Sequence, residues 1–140
     1  KILASTLNDF GFKVLGEKKG FTQSHQTVVN VLDYGDGGKI EADLEKANII
    51  VNRQLIPGDI KAKRHYMHPG GIRLGTSEVT RLGMEETDML VIADLIKSVI
   101  VDDEDRKDIA KEIVEIRKNY QKTQYCFDNK LGAYEYVKLR

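Results

Sequence analysis

The chain has little cysteine, no excess of either charge and no long apolar segment. Its single cysteine cannot form an intramolecular disulfide, which is typical of a protein in the reducing cytoplasm. Lysine and arginine together number 22, as do aspartate and glutamate, so no basic excess points to a nucleic-acid partner. No apolar run approaches the roughly 18 residues of a membrane span, and no signal peptide is recognisable. We therefore expect a cytoplasmic protein without nucleic-acid or membrane partners.

Internal repeats and low-complexity segments are also lacking, and the 140 residues fit one domain of ordinary size. The first ten residues place Leu3, Leu7 and Phe10 on one face of a helix, which Gly11 would end. No initiator methionine and no clear start signal precede this helix. We therefore expect residues 1–140 to be a single domain of a longer protein.

Hydrophobic periodicity predicts alternating strands and helices. Four short apolar runs are predicted as strands: 12–15, 27–32, 49–51 and 72–74. A short helix is predicted over 40–47, a long loop over 52–69, and a helix with a broad apolar face over 89–100. A further helix is expected to start at the acidic run 102–105, and 125–140 allow only a short strand or an irregular tail. This order predicts an α/β protein of the α+β kind, with a small antiparallel or mixed sheet covered by helices.

A glycine-rich turn followed by a short strand is the most informative part of the sequence. Gly70 and Gly71 permit a turn or a close backbone approach, which a Cβ would prevent. Ile72 and Leu74 point to one face of the strand, and Arg73 points to the other. The planar guanidinium of such an arginine can bind a carboxylate through two parallel hydrogen bonds. The alternative is an ordinary surface arginine on an edge strand.

This segment resembles a motif near the C-terminus of the serine hydroxymethyltransferases. That motif reads roughly Ser-Gly-Ile-Arg-aliphatic-Gly-Thr, then Pro-Ala-aliphatic-Thr, then glycine with phenylalanine or methionine. Further segments resemble the family in the same order: 11–14 (GFKV), 22–25 (TQSH), 47–52 (ANIIVN) and 57–59 (PGD). The chain thus resembles the C-terminal small domain of this family.

The resemblance implies a fold type I pyridoxal-phosphate enzyme that interconverts serine and glycine as a homodimer. The one-carbon unit would pass to or from a reduced pterin. Arg73 would hold the carboxylate of the amino acid. Gln54 stands where the family usually has a pterin-contacting asparagine, and Tyr66 falls in a stretch on the pterin side. The cofactor lysine belongs to the family's large domain, so this chain alone is expected to contain no catalytic residue, to bind no pyridoxal phosphate and to be inactive.

The sequence departs from the family most clearly on the pterin side. Gln54 replaces the asparagine, and the loop between Gln54 and Arg73 is longer than in bacterial members. These departures resemble archaeal members, some of which use a methanopterin-type carrier. The sequence therefore leaves two carriers open, namely tetrahydrofolate and tetrahydromethanopterin.

The sequence also leaves two alternative functions open. The chain could be a free-standing regulatory domain that binds an amino acid. It could also be the small domain of another fold type I enzyme, such as an aminotransferase, although the matching motifs oppose this. The three histidines and the cysteine have no spacing typical of a metal site, so none is predicted: His25, His65, His68 and Cys126.

Overall fold

A computed structural model describes residues 1–124, which form a four-stranded sheet and five α-helices. The strands are β1 (Lys13–Val14), β2 (Gln26–Asn30), β3 (Asn52–Gln54) and β4 (Gly71–Gly75). The helices are α1 (Ile2–Asp9), α2 (Gly37–Lys46), α3 (Ser77–Arg81), α4 (Glu86–Ile100) and α5 (Arg106–Arg117). The tail predicted over 125–140 lies outside the described residues.

The sheet is antiparallel throughout, with the strand order β1-β2-β4-β3. β4 is therefore an interior strand, paired on one side with β2 and on the other with β3. The predicted small antiparallel sheet is confirmed. The alternative of Arg73 on an edge strand is wrong, because both neighbours of β4 form hydrogen-bonded ladders with it.

One face of the sheet carries the hydrophobic core. Val29 of β2 and both Ile72 and Leu74 of β4 are buried there. Helices α1 and α2 pack on this side, and α4 packs against both of them with a buried stripe: Met89, Ala93, Leu95, Ile96 and Val99. No helix in residues 1–124 combines the length and apolar character that crossing a membrane requires.

Two helix ends follow the expected local chemistry. Gly11 adopts a left-handed conformation with φ of 91° and its N–H donates to the carbonyl of Asn8, so it ends α1 as predicted. At the start of α2, Asp36 Oδ1 accepts a hydrogen bond of 2.9 Å from the backbone N–H of Lys39. This bond, with a smaller contribution from His68, lowers the pKa of the Asp36 carboxyl.

The third strand lies further along the chain than the periodicity predicts. Residues 49–51 are not a strand, and β3 occupies Asn52–Gln54, at the start of the predicted loop. The chain leaves α2 through Asn48, whose φ is 63°, and then runs extended with Ile50 exposed and Val51 buried. Only from Asn52 onward does the backbone come opposite β4 and pair with it.

The last helix also begins later than the acidic run suggests. α5 starts at Arg106, with Asp105 as the N-cap whose side chain accepts from the N–H of Lys107. Asp102 lies before the helix and pairs with Lys97 of α4. The carboxylates of the acidic run therefore lie at and before the N-cap of α5. Negative charge there is favourable because the N-terminus of a helix is electropositive. A separate short helix, α3, follows β4 before the long α4 begins.

A buried carboxylate holds together the two ends of the loop between β3 and β4. Asp59 is only 2% exposed, and its Oδ2 accepts hydrogen bonds from the backbone N–H groups of Ile56 at 2.9 Å and Gly70 at 2.8 Å. The Arg64 Nε lies 3.5 Å from its other oxygen. A buried charge is tolerated when it is paired and hydrogen-bonded, as here. Asp59 thus fixes the path of the chain just after Gln54 and just before Arg73.

Replacing Asp59 with alanine is expected to destabilise the protein by about 2–4 kcal/mol, because two buried N–H groups lose their shared acceptor. Denaturant unfolding followed by circular dichroism measures the change. Asp33→Ala is the control, since Asp33 is an exposed carboxylate that pairs with Lys13 at 2.7 Å. Its loss should be below about 1 kcal/mol. Equal losses for the two variants would contradict the structural role given to Asp59.

Candidate functional site

The face of the sheet opposite the core is polar, and we call it the open face. Its residues follow from the strand register, since paired residues in an antiparallel sheet share a face. The open face comprises Lys13, Gln26, Val28, Asn30, Asn52, Gln54 and Arg73. None of these seven residues is buried, whereas their alternating neighbours on β1, β2 and β4 enter the core.

Arg73 lies at the centre of the open face. It stands between Val28 on β2 and Asn52 on β3, and its Nη2 donates a hydrogen bond of 3.0 Å to Asn52 Oδ1. Within residues 1–124 it forms no ion pair with a carboxylate. Arg53, on the opposite face of β3, is instead paired with Glu41 of α2. Arg73 as a whole residue is partly buried, and its guanidinium has hydrogen-bond donors still available to a ligand.

Gln54 lies one row away from Arg73 on the same face. It pairs with Gly71, so Gln54 and Arg73 are diagonal neighbours, roughly 7–8 Å apart in a regular sheet. The Gln54 side chain is half-buried, and its Nε2 donates to the carbonyl of Leu55 at 3.0 Å. The fold thus brings together two of the three site residues that the sequence suggested.

Gly71 is required for the packing beside these two residues. A Cβ on Gly71 would overlap the side chain of Ile56, so Ile56 covers the glycine on the face that carries Arg73. Ile56 is 7% exposed, and its N–H is one of the two groups held by Asp59. The open face therefore carries an apolar side chain over Gly71, two residues before Arg73 in the same strand.

Tyr66 lies in the loop and is 60% exposed. Its neighbours in the loop contact α2 and β3. His68 Nδ1 lies 3.1 Å from Oδ2 of Asp36, the N-cap of α2, and Nη1 of Arg53 on β3 approaches the carbonyl of Met67. In the part of the chain that the structure describes, no hydrogen bond joins Tyr66 to Gln54 or Arg73. The recorded contacts of this stretch lead to α2 and β3, and Tyr66 itself is exposed to solvent.

Two residues that position the site were missed from the sequence. The periodicity predicts a loop at Asn52, which is instead the direct cross-strand partner of Arg73. The motif at 57–59 includes Asp59 but predicts no structural role for it. If the predicted strand 49–51 is extended with the same alternation, Asn52 falls on the side away from the core, which is also the side of Arg73. No pattern in the sequence predicts the two hydrogen bonds of Asp59, because they depend on the path of the loop in the folded protein.

The described residues fit neither a metal ion nor a Schiff-base cofactor. No cluster of three histidine, cysteine, aspartate or glutamate side chains occurs within residues 1–124, and Cys126 lies outside them. A Schiff-base lysine must be neutral to react, and enzymes achieve this by desolvating the amine. In this range every lysine is exposed except Lys97, whose hydrogen bond to Asp102 raises the pKa of its ammonium group.

Comparison with known proteins agrees with the motifs of the sequence. The family model for serine hydroxymethyltransferase matches residues 1–96. Relatives of that name from Nitrosopumilus maritimus (strain SCM1) and Cenarchaeum symbiosum (strain A) are 69% and 67% identical over 100% of this chain. A third, from Korarchaeum cryptofilum (strain OPF8), is 51% identical over 97% of it. The chain spans about a third of the length of these archaeal relatives, namely 32%, 32% and 31%.

A solved structure has the same fold. The L-threonine transaldolase from Pseudomonas fluorescens, determined in its internal aldimine state, superposes with a TM-score of 0.75 and 32% identity. The match covers 94% of this chain and 29% of that protein. With a family model that matches well over half of the residues, these findings show that the chain belongs to the serine hydroxymethyltransferase family.

Proposed function

We propose that this chain is the C-terminal small domain of an enzyme that interconverts serine and glycine, and that Arg73 binds the carboxylate of the amino acid. The main support is the environment of Arg73. Arg73 is a partly buried residue of the open face, and the recorded partner of its guanidinium is the neutral amide of Asn52. A guanidinium that no carboxylate neutralises can bind a substrate carboxylate through two parallel hydrogen bonds.

The role of Arg73 in this proposal is binding and orientation. A bidentate contact fixes both the position and the plane of the substrate carboxylate, which sets the direction in which the α-carbon projects. On the same face, Ile56 covers Gly71, two residues before Arg73 in the strand. Asp59 maintains this arrangement through the N–H of Ile56.

Pyridoxal phosphate is the cofactor that the family implies, and it would act as the electron sink for the amino-acid substrate. The described residues do not supply its lysine, so we expect the Schiff base to form on residues beyond this chain. This domain alone should bind no cofactor and show no turnover. We expect the complete enzyme to be a cytoplasmic homodimer, without nucleic-acid or membrane partners.

For the co-substrate, we propose a reduced pterin read by Gln54, with Tyr66 as a second contact from the loop. Gln54 lies on the same face as Arg73, which supports a ligand that spans the two residues. Because glutamine carries its amide one methylene further from the backbone than asparagine, the ring edge must sit differently from that in enzymes with asparagine. We propose that the carrier is of the methanopterin type, with tetrahydrofolate as the alternative.

A second candidate is a transaldolase reaction on a β-hydroxy amino acid. The similarity to the L-threonine transaldolase favours it, since that chain shares 32% identity and the same fold. The carboxylate-binding role of Arg73 would be the same in both reactions. The 69% identity to a serine hydroxymethyltransferase makes serine and glycine the preferred substrates. A free-standing regulatory domain is a weaker candidate, because the relatives that match are about three times as long.

The carboxylate role predicts a loss of substrate affinity when Arg73 is changed in the full-length enzyme. Arg73→Ala should weaken serine and glycine binding by roughly 30- to 5000-fold, because a partly buried carboxylate is left unpaired. Arg73→Lys should also weaken binding, since it keeps the charge but loses the bidentate geometry. Titration of the cofactor absorbance with serine measures both effects.

The matched control for this experiment is Arg53→Lys. Arg53 lies on the adjacent strand, but its side chain faces α2 and pairs with Glu41. A lysine there retains the ion pair, so serine affinity should stay within about twofold of wild type. If Arg73→Ala bound serine as tightly as wild type, the proposed role of Arg73 would be refuted.

The carrier proposal predicts a change in preference when Gln54 is shortened. In the full-length enzyme, Gln54→Asn should shift the ratio of kcat/KM for tetrahydromethanopterin and tetrahydrofolate toward tetrahydrofolate. The reason is that a site built for one set of hydrogen bonds leaves polar groups unpaired with the other ligand. Gln26→Asn is the control, because Gln26 lies on the same face at the far end of β2. A wild-type enzyme that prefers tetrahydrofolate, with an unchanged ratio in Gln54→Asn, would end this proposal.

A further inference from the structure

We propose that Asn52 is a positioning residue, which orients the Arg73 guanidinium while leaving its charge free for the substrate. This inference rests on the proposed function, because it assigns the residue that prepares Arg73 for a carboxylate. It begins from the register, in which Asn52 is directly opposite Arg73. The Asn52 Oδ1 accepts from Arg73 Nη2 at 3.0 Å, so the two side chains meet above the sheet.

The partner of the Arg73 guanidinium is a neutral amide oxygen. A guanidinium has five N–H donors, and the amide oxygen of Asn52 occupies one of them. The amide carries no charge, so it fixes the orientation of the fork without neutralising it. A carboxylate at the same place would form an ion pair that an incoming substrate has to break.

The other arginines in residues 1–124 have different surroundings. Carboxylates face four of the five, in the pairs Arg53–Glu41, Arg64–Asp59, Arg81–Glu78 and Arg106–Asp103, and the fifth, Arg117, is exposed on α5. Arg73 is the half-buried arginine whose recorded partner in this range is an amide instead. A neutral partner therefore distinguishes the arginine to which we assign substrate binding.

Asn52 is the first residue of β3, a position at which the strand itself does not require an asparagine. Asparagine is disfavoured in strands, and Asn52 is exposed, so neither strand propensity nor core packing calls for it there. Its side-chain oxygen has one partner in the described residues, which is Arg73. The contact thus accounts for an asparagine at a position where the sheet alone would favour a β-branched residue.

The experiment uses two substitutions of Asn52 in the full-length, cofactor-loaded enzyme. Asn52→Asp has almost the same shape and keeps the acceptor, but it places a negative charge on Arg73. We expect the Kd for serine to rise by at least about tenfold, and by more than in Asn52→Ala, because the new carboxylate competes with that of the substrate. A residue with only a structural role would give the reverse order, since aspartate preserves the contact that alanine removes.

Two further variants make the outcome specific. Asn48→Asp adds the same charge at an exposed asparagine after α2 and should leave the Kd for serine within about twofold of wild type. In an Arg73→Ala background, Asn52→Asp should have little additional effect, because its target is gone. The rise in Kd should appear with kcat at saturating serine changed far less.

The results separate this inference from the proposed function. If Arg73→Ala weakens serine binding while Asn52→Asp and Asn52→Ala bind serine like wild type, the positioning role of Asn52 is overturned and the role of Arg73 stands. If Arg73→Ala itself has no effect, the proposed function fails before Asn52 is tested. A larger loss in Asn52→Ala than in Asn52→Asp would also overturn the inference.

Discussion

The structure depends on the pairing of β4 with a strand on each side. Because β4 is the interior strand, its backbone hydrogen bonds are satisfied by β2 and β3 together. The alternation of its side chains then divides the molecule into two faces. Ile72 and Leu74 anchor the core beneath the helices, and Arg73 between them must stand on the open face. A shift of one residue in register would exchange these faces, so the core specifies the place of the arginine.

The loop before β4 is held by contacts that leave little freedom to its ends. Asp59 binds the N–H groups of Ile56 and Gly70. The N–H of Gly37, at the start of α2, donates to the carbonyl of Pro69 at 2.7 Å, and a Cβ on Gly37 would overlap the Gly71 carbonyl. Polar atoms and a glycine contact therefore bring helix, loop and strand together. The middle of the loop, which includes Tyr66, stays exposed.

The open face combines features that fit the carboxylate ligand we propose for it. It is polar, it carries a partly buried arginine whose recorded partner is a neutral amide, and Ile56 covers Gly71 on the same face. An arginine fully surrounded by water attracts an anion only weakly, since exposed charges are strongly screened. The same face carries Gln54, whose amide can read the edge of a ring.

The sequence by itself determined the type and order of most elements. Periodicity located α1, α2 and α4, and the alternation around Arg73 placed that residue on the face away from the core. The family also followed from the sequence, because the short motifs around Asn52, Asp59 and Arg73 can be recognised without knowledge of the fold. Local signals of this kind need only neighbouring residues, so no tertiary information is required to interpret them.

Only the tertiary structure decided which residues meet. The start of β3 at Asn52 depended on where β4 runs, and residues 49–51 have the stronger strand propensity. The partnership of Asn52 with Arg73 crosses 21 positions, and the bond from Gly70 to Asp59 crosses 11. Such contacts depend on the register and the closure of a loop, and single-residue preferences carry no information about either. The sequence thus determined which side chains are available, and the fold determined which of them act together.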